Sequence, residues 1–518
     1  MRPRGSIPVR HTGPLRIVRL ANFVTPSSGG LRTALRELGR GYLAAGHEPV
    51  LVVPGERATA ADTEQGLVIT LPGPVLPGTG GYRVLADRHG LTRLLERLAP
   101  DRLEVSDRTT LRWTGRWARR ARVPAVMVSH EAADAVLRTW GLPPRLARRA
   151  ADTLNTRTAY AYARVVCTTR WAEREFVRIG AANVVRAPLG VDLRDRHPGL
   201  RDTRLRGRHA RGDEALLLMC SRLSVEKRPG MALDALETLR GRGVRAVLVV
   251  AGDGPLRARL ERRARERRLP VSFLGHVADR AALGALQATA DVCLAPGPCE
   301  TFGLAALEAL ACGTPVVASA SSALPEIVGG AGAAAADTAD AFADAVRAVL
   351  ARPERDRRQR ARARAERFGW DAAVAAFLAA HDADPDVLSA DPDALCADSG
   401  VLATGSGGIC ADPDVLPADR GPLAAGPGGL SANPGAVFAH SDAVFAHSDA
   451  VFAGPDVIPA GPDVIPANPH AIPADPDVFP ADPDVTTAAP GRRALPFPGL
   501  GGVLPAGDGP PAGPGGGA

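Results

Sequence analysis

Residues 245–251 read RAVLVVA, and short runs of this kind, apolar almost throughout, recur along the first 320 or so residues. A strand with one wet face alternates polar and apolar residues, whereas a run apolar at every position is buried on both faces. Burial on both faces demands a parallel sheet with helices on either side, since parallel neighbours are joined by crossovers that are usually helical. The intervening stretches have the matching helical period. In the first half, strands are predicted at Leu15–Asn22, His47–Pro54, Leu103–Val105, Val123–Ser129 and Val165–Thr168. Helices are predicted at 31–45, 91–98, 142–157 and 171–179, and the proline- and glycine-rich 67–82 reads as an irregular surface segment. In the second half, strands fall at 215–220, 245–251, 271–274, 292–295 and 316–318, with helices at 229–239, 256–268, 283–290 and 303–311. The pattern predicts an α/β chain of two Rossmann-like, doubly wound parallel-sheet domains. A cleft between two such domains is the default place for a ligand.

The expected layout is a disordered leader over 1–14 and a first domain over 15–193. An arginine-rich linker over 194–211, a second domain over 212–367 and a closing helix over 368–380 follow. Beyond that the composition changes. Residues 1–380 carry 60 Lys plus Arg against 38 Asp plus Glu, while 381–518 carry 3 and 18. The C-terminal stretch repeats alanine every seven residues from Ala432 to Ala481, in units such as AGPDVIP and ADPDVFP. Proline in most units forbids the coiled coil that a heptad otherwise suggests, so 381–518 is expected to be a disordered low-complexity tail.

The basic body carries its charge on arginine, for Lys227 is the one lysine of the 518 residues. Such a surface is either solvated or attracts something anionic, a phospholipid face or a nucleotide. Zinc-finger spacing, a helix-turn-helix signal and basic–aromatic interleaving are all missing, which speaks against nucleic acid. Seven scattered cysteines read as reduced cytoplasmic thiols, and no apolar stretch is long enough for a secretory signal or a spanning helix.

Three segments carry chemistry. Ser221-Arg222-Leu223-Ser224-Val225-Glu226-Lys227 follows a predicted strand, where open parallel sheets place ligands. Arg222 and Lys227 there either neutralise a diphosphate or are two surface cations. Gly252-Asp253-Gly254-Pro255 follows the next strand and allows a tight turn with close backbone approach, for a ligand or simply to end the strand. Glu300 and Glu308 stand eight apart around Thr301-Phe302-Gly303-Leu304, the first before a helix and the second inside it. Glu308, in an otherwise small and apolar helix, needs a partner: the vicinal hydroxyls of a ribose, or one of the arginines.

Together these segments resemble family 4 of the retaining, nucleotide-sugar-dependent glycosyltransferases, whose GT-B fold faces two Rossmann-like domains across a cleft. The resemblance spans about residues 15–380 and includes Gly29-Gly30-Leu31, the Ser106-Asp107-Arg108 loop and Ser129-His130-Glu131. Blocks such as ANFVTPSSGGLRTAL, LEVSDRTTLR and APGPCETFGLAALEALACGTPVV are most similar to the family's actinobacterial mannosyltransferases that extend phosphatidylinositol mannosides. The resemblance implies GDP-mannose as donor, a phosphatidylinositol mannoside as acceptor, an α-1,6 linkage, and a cytoplasmic protein peripheral to an anionic membrane. It implies that Arg222 and Lys227 bind the diphosphate, Glu308 the ribose and Glu300 the transferred sugar. Backbone groups of Phe302, Gly303 and Leu304, the Gly252-Asp253 turn and the Gly29-Gly30 loop would lie close to the donor, and His130 beside the sugar. The family's usual glycine before Arg222 is Ser221 here, and its GEGP is GDGP.

Negative charge grows on the leaving phosphate as the C1–O bond breaks, so two fixed cations suit this chemistry. No cofactor and no essential metal are expected; the Asp-x-Asp pairs at Asp384/Asp386 and Asp391/Asp393 sit in the proline-rich tail without a strand beside them. Two other functions fit the same motifs: a family 4 transferase with a different nucleotide sugar or a soluble acceptor, and a non-catalytic binder of sugar nucleotide or phospholipid. The first loop, Thr25 to Gly30, is no G-x-G-x-x-G fingerprint, which argues against a dehydrogenase.

Overall fold

The computed structural model describes residues 13–24, 29–76, 81–139 and 141–382; the heptad-bearing tail and the Asp-x-Asp pairs lie outside them. The first sheet consists of β1 (Arg16–Leu20), β2 (Glu48–Gly55), β3 (Thr59–Thr63), β4 (Gly66–Pro72), β5 (Arg102–Val105), β6 (Ala125–Ser129), β7 (Arg164–Cys167) and β8 (Val184–Arg186). Its order is β3-β4-β2-β1-β5-β6-β7-β8, parallel throughout except for the β3–β4 hairpin. The second sheet holds β9 (Ala215–Cys220), β10 (Ala246–Ala251), β11 (Val271–Gly275), β12 (Val292–Ala295), β13 (Val316–Ser319) and β14 (Ala333–Ala335), all parallel in the order β11-β10-β9-β12-β13-β14. Two Rossmann-like parallel-sheet domains are therefore present. The apolar runs explain them, for every residue of β5, β6 and β10 is buried.

In each sheet the strand order reverses beside the first strand: between β1 and β5, and between β9 and β12. The loops after these strands diverge and leave a crevice at the carboxyl edge. Ser106–Arg108 follows β5, His130 follows β6, Arg222 follows β9 and Glu300 follows β12.

Two sequence expectations need correction. Residues 67–82 are not irregular throughout, since β4 occupies their first part and pairs with β2 and with the exposed edge strand β3. The alternation Leu67, Ile69, Leu71 carried that signal, masked by the proline and glycine that follow. The 194–211 segment is no plain linker. It contains the helix Thr203–His209, capped by Asp202 and anchored by Arg206, which donates to Asp291 at 2.9 Å and to the Glu214 carbonyl at 2.8 Å. Past β13 the second domain adds β14 and the helices Ala339–Leu350 and Glu354–Ala365, all within the expected 212–367.

The last described helix, Trp370–His381, returns to the first domain and packs on the helix Gly30–Ala44. Contact is close at Gly41, where a built Cβ would lie 2.1 Å from a Val374 methyl. One buried apolar cluster consequently contains Ile17, Val128 and Leu189 together with Phe302, Leu307 and Phe377.

Candidate donor-binding site

The second domain builds one wall. Arg222 leaves the end of β9 and donates Nη2–H to Glu226 (2.9 Å), which also accepts from Ser224 (2.5 Å). Lys227 ends the short 3₁₀ turn Val225–Lys227 and donates from Nζ to Glu300 Oε1 at 2.5 Å. Burial works to strip the Lys227 proton, but the adjoining Glu300 carboxylate outweighs it and holds the ammonium above its ordinary pKa. The ion pair leaves two ammonium N–H groups unused, and Arg222 also keeps spare donors. Both groups remain able to hold phosphate oxygens.

Gly303 caps the helix Leu304–Ala311 in the left-handed region (φ 80°), and a Cβ there would stand 2.2 Å from Leu324. Only glycine fits. The helix then begins with backbone N–H groups that lack intrahelical partners, a favourable setting for an anion. Lys227, Glu300, Gly303, Ala305, Ala306 and Ser221 line a recess of about 370 Å³ open to solvent. Phe302 is buried edge-on against Phe368, ring centroids 6.2 Å apart, so its side chain is structural. Glu308 is half-buried and meets Gln287 Nε2 at 3.3 Å rather than an arginine.

The Gly252–Gly254 turn serves this wall from behind. A Cβ at Gly252 would come 1.9 Å from the Ser221 carbonyl oxygen, and one at Gly254 2.6 Å from that of Leu223. The two glycines let the turn lie against the Arg222 loop, an arrangement fixed by Leu223 N–H donating to the Asp253 carbonyl at 2.9 Å. The Asp253 carboxylate is occupied by Arg257 (3.0 Å) and the Gly254 N–H (2.7 Å).

The first domain builds the opposite wall. His130 Nε2 lies 3.1 Å from Ser106 Oγ. Arg108 braces the loop on both sides of the histidine, donating to Ser129 Oγ at 2.5 Å and to the Glu131 carbonyl. Burial, with Arg19 and Arg108 nearby and only partly offset by Glu104, lowers the His130 pKa to about 4. The imidazole is neutral at physiological pH. Gly29 and Gly30 open the helix Gly30–Ala44; a Cβ at Gly29 would meet nothing, and one at Gly30 only the Leu304 methyl at 3.9 Å. Space, not backbone strain, distinguishes these glycines.

The walls touch through contacts that the sequence did not reveal. Tyr82 accepts from Arg222 Nη1 through its hydroxyl (2.9 Å), with the guanidinium carbon 5.3 Å from the ring centroid. Phe23 packs edge-on against the same ring. Thr301 donates to the His130 carbonyl and accepts from Thr169 at 2.8 Å. The Ser-Asp-Arg loop proves to be a brace: Asp107 accepts from Asn22, Thr109 and Thr110. Glu226 was legible as the acid between Arg222 and Lys227, whereas no local signal marked Tyr82.

Comparison with known proteins agrees with this geometry. The description "Glycosyltransferase Family 4" matches residues 28–195 and "Glycosyl transferases group 1" matches 202–366. The chain is 53% identical over 368 residues to a GDP-mannose-dependent alpha-(1-6)-phosphatidylinositol dimannoside mannosyltransferase of Mycobacterium tuberculosis (strain ATCC 25177 / H37Ra), covering 70% of this chain and 95% of that one. Among solved structures, sucrose-phosphate synthase from Thermosynechococcus elongatus superposes with a TM-score of 0.58 at 21% identity, over 70% of this chain and 98% of that one. Anabaena HepE in complex with UDP and glucose gives 0.56 at 19%, over 70% and 99%. These two likenesses establish the GT-B fold.

Proposed function

The chain belongs to family 4 of the glycosyltransferases and is a hexosyltransferase, and we propose that it moves mannose from GDP-mannose to a phosphatidylinositol mannoside. The step we assign is extension of the dimannoside to the trimannoside through an α-1,6 linkage with retention at the donor carbon. The relative's substrate supports that assignment, and the carrying observation is local. Lys227 and the N-terminus of the helix Leu304–Ala311 line one recess with Glu300 on its wall, and Arg222 follows Ser221, which lines the same recess.

As the sugar C1–O bond lengthens, charge accumulates on the departing diphosphate, and fixed cations around that oxygen lower the barrier. In this reading the spare donors of Arg222 and Lys227 take the phosphate oxygens. Glu300, oriented by Lys227, accepts from hydroxyls of the mannose, and Glu308 accepts from the ribose. The acceptor hydroxyl attacks from the face the phosphate leaves, passing its proton to the phosphate oxygen, so no side chain is assigned as general base and no metal is invoked. His130, neutral and held by Ser106, orients the sugar.

A lipid acceptor places the enzyme peripherally at the inner face of the plasma membrane. Among the described residues no helix is long and apolar enough to cross a membrane. Arg145, Arg148 and Arg149 are exposed on the helix Pro144–Ala161 beside Leu146, which is 48% exposed, and form a surface suited to anionic headgroups. Arg36 and Arg40 suit it less, because Glu37 and Glu64 partly neutralise them. The test is mass spectrometry of products formed from GDP- and UDP-sugars with purified phosphatidylinositol mannosides. One hexose added to the dimannoside from GDP-mannose is expected; turnover confined to another nucleotide sugar would refute the assignment.

A further inference from the structure

We propose that Thr301 is a positioning residue that ties domain closure to the alignment of Glu300 with His130. Thr301 follows Glu300 directly and is 6% exposed. Its hydroxyl donates to the backbone carbonyl of His130, and its own carbonyl accepts from Thr169 Oγ at 2.8 Å. Both partners belong to the first domain. The neighbouring residues are fixed on opposite sides. Glu300 is tied to the second domain through its carbonyl, which accepts from Ala323 N–H at 2.9 Å, and through its carboxylate on Lys227. His130 is tied to the first domain through Ser106 and through the Arg108 bonds to Ser129 and Glu131.

One threonine therefore joins the loop carrying the sugar-facing carboxylate to the loop carrying the sugar-facing imidazole. No other described contact reaches the His130 main chain from the second domain at so short a covalent distance from Glu300. Cys299, on the other side of Glu300, approaches the Ala135 carbonyl with a 3.9 Å sulfur contact, which places the whole 299–301 turn against the first domain. Closing the domains sets the spacing of the two groups through this bridge, and opening them releases it. A misplacement of about 1 Å at a reacting centre is worth up to ~100-fold in rate. A hydroxyl spent on this geometry rather than on donor affinity should therefore affect turnover and leave binding nearly alone.

The proposal rests on the assignment of Glu300 to the transferred sugar, and its test has one arm that does not. Full-length Thr301→Val and Thr301→Ser are compared with the parent by amide exchange of the peptide spanning 129–135, without donor, and by kcat and KM for GDP-mannose. Thr301→Val should speed exchange in that peptide roughly 5-fold or more, the equivalent of one lost hydrogen bond. It should lower kcat about 10- to 100-fold with KM changed less than about 3-fold. Thr301→Ser, which keeps the hydroxyl, should restore both. Parental exchange and kcat in Thr301→Val, or a serine variant as impaired as the valine one, would overturn the proposal. A parent that cannot use GDP-mannose would refute the assigned reaction instead, leaving the exchange arm to decide the role of Thr301.

Discussion

Arg222 and Lys227 are restrained differently, and the difference predicts which matters more to the chemistry. Lys227 holds Glu300 at 2.5 Å and stands inside the recess, while Arg222 is steadied by Glu226 and by Tyr82 from the other domain. Removing the ammonium takes away a charge at the leaving group and also frees a carboxylate in its place. Lys227→Ala should lower kcat by about 10²- to 10³-fold, the size found when one donor to a developing oxyanion is lost. Its melting temperature should stay close to the parent's, because the pair lies at a half-open cleft. Near-parental turnover would remove Lys227 from the mechanism. His130 yields a prediction about pH. With its pKa lowered to about 4, the ring does not titrate between pH 5 and 8, so kcat/KM should show no inflection near 6.5 that disappears in His130→Gln. An imidazole resonance of His130 titrating near 6.5 would contradict the half-buried, neutral ring.

The helix Trp370–His381 has its own polar anchor. At its end, His381 Nε2 lies 3.2 Å from Glu104 Oε2, and Glu104 also accepts from Arg19 (2.9 Å) and Tyr42 (2.8 Å). All four side chains are at most 1% exposed. Burial alone would raise the Glu104 pKa, but the Arg19 guanidinium and the bonds from His381 and Tyr42 together hold it well below its ordinary 4.5. A carboxylate depressed in the folded state contributes stability above its unfolded pKa and loses it as the pH falls below that value. The protein should therefore begin to lose melting temperature as the pH drops below about 4.5. Glu104→Gln, which leaves Arg19 buried without its partner charge, should cost about 3–5 kcal/mol at pH 7 and flatten that acid slope. Thermal unfolding of the two proteins from pH 7 to pH 3 checks both; an unchanged melting temperature at pH 7 would show that the helix is held by apolar packing alone.

Across the whole molecule, the match to the mycobacterial relative spans 368 residues and 95% of that protein, a length the first 382 residues can contain without the tail. A chain lacking 385–518 should keep parental turnover and melting temperature, and loss of either in the purified truncation would give the tail a role. Which features were legible depended on how far apart in the chain their causes lie. Apolar runs such as RAVLVVA determined the parallel sheets locally, since a strand buried on both faces has few alternatives. Arg222, Lys227 and Glu300 stood out because each lies in a loop that follows the carboxyl end of a strand, and Glu308 because it is a carboxylate inside a small, apolar helix. The β3–β4 hairpin, the return of the last helix to Glu104, the Tyr82–Arg222 contact and the Thr301–His130 bridge were not readable. The last three join positions 277, 140 and 171 residues apart. The sequence by itself determined two sheets and the cations at the mouth of the second, because burial and strand ends are local properties. Only the tertiary structure decided which first-domain groups meet those cations, because that follows from how two independently formed sheets are set against each other.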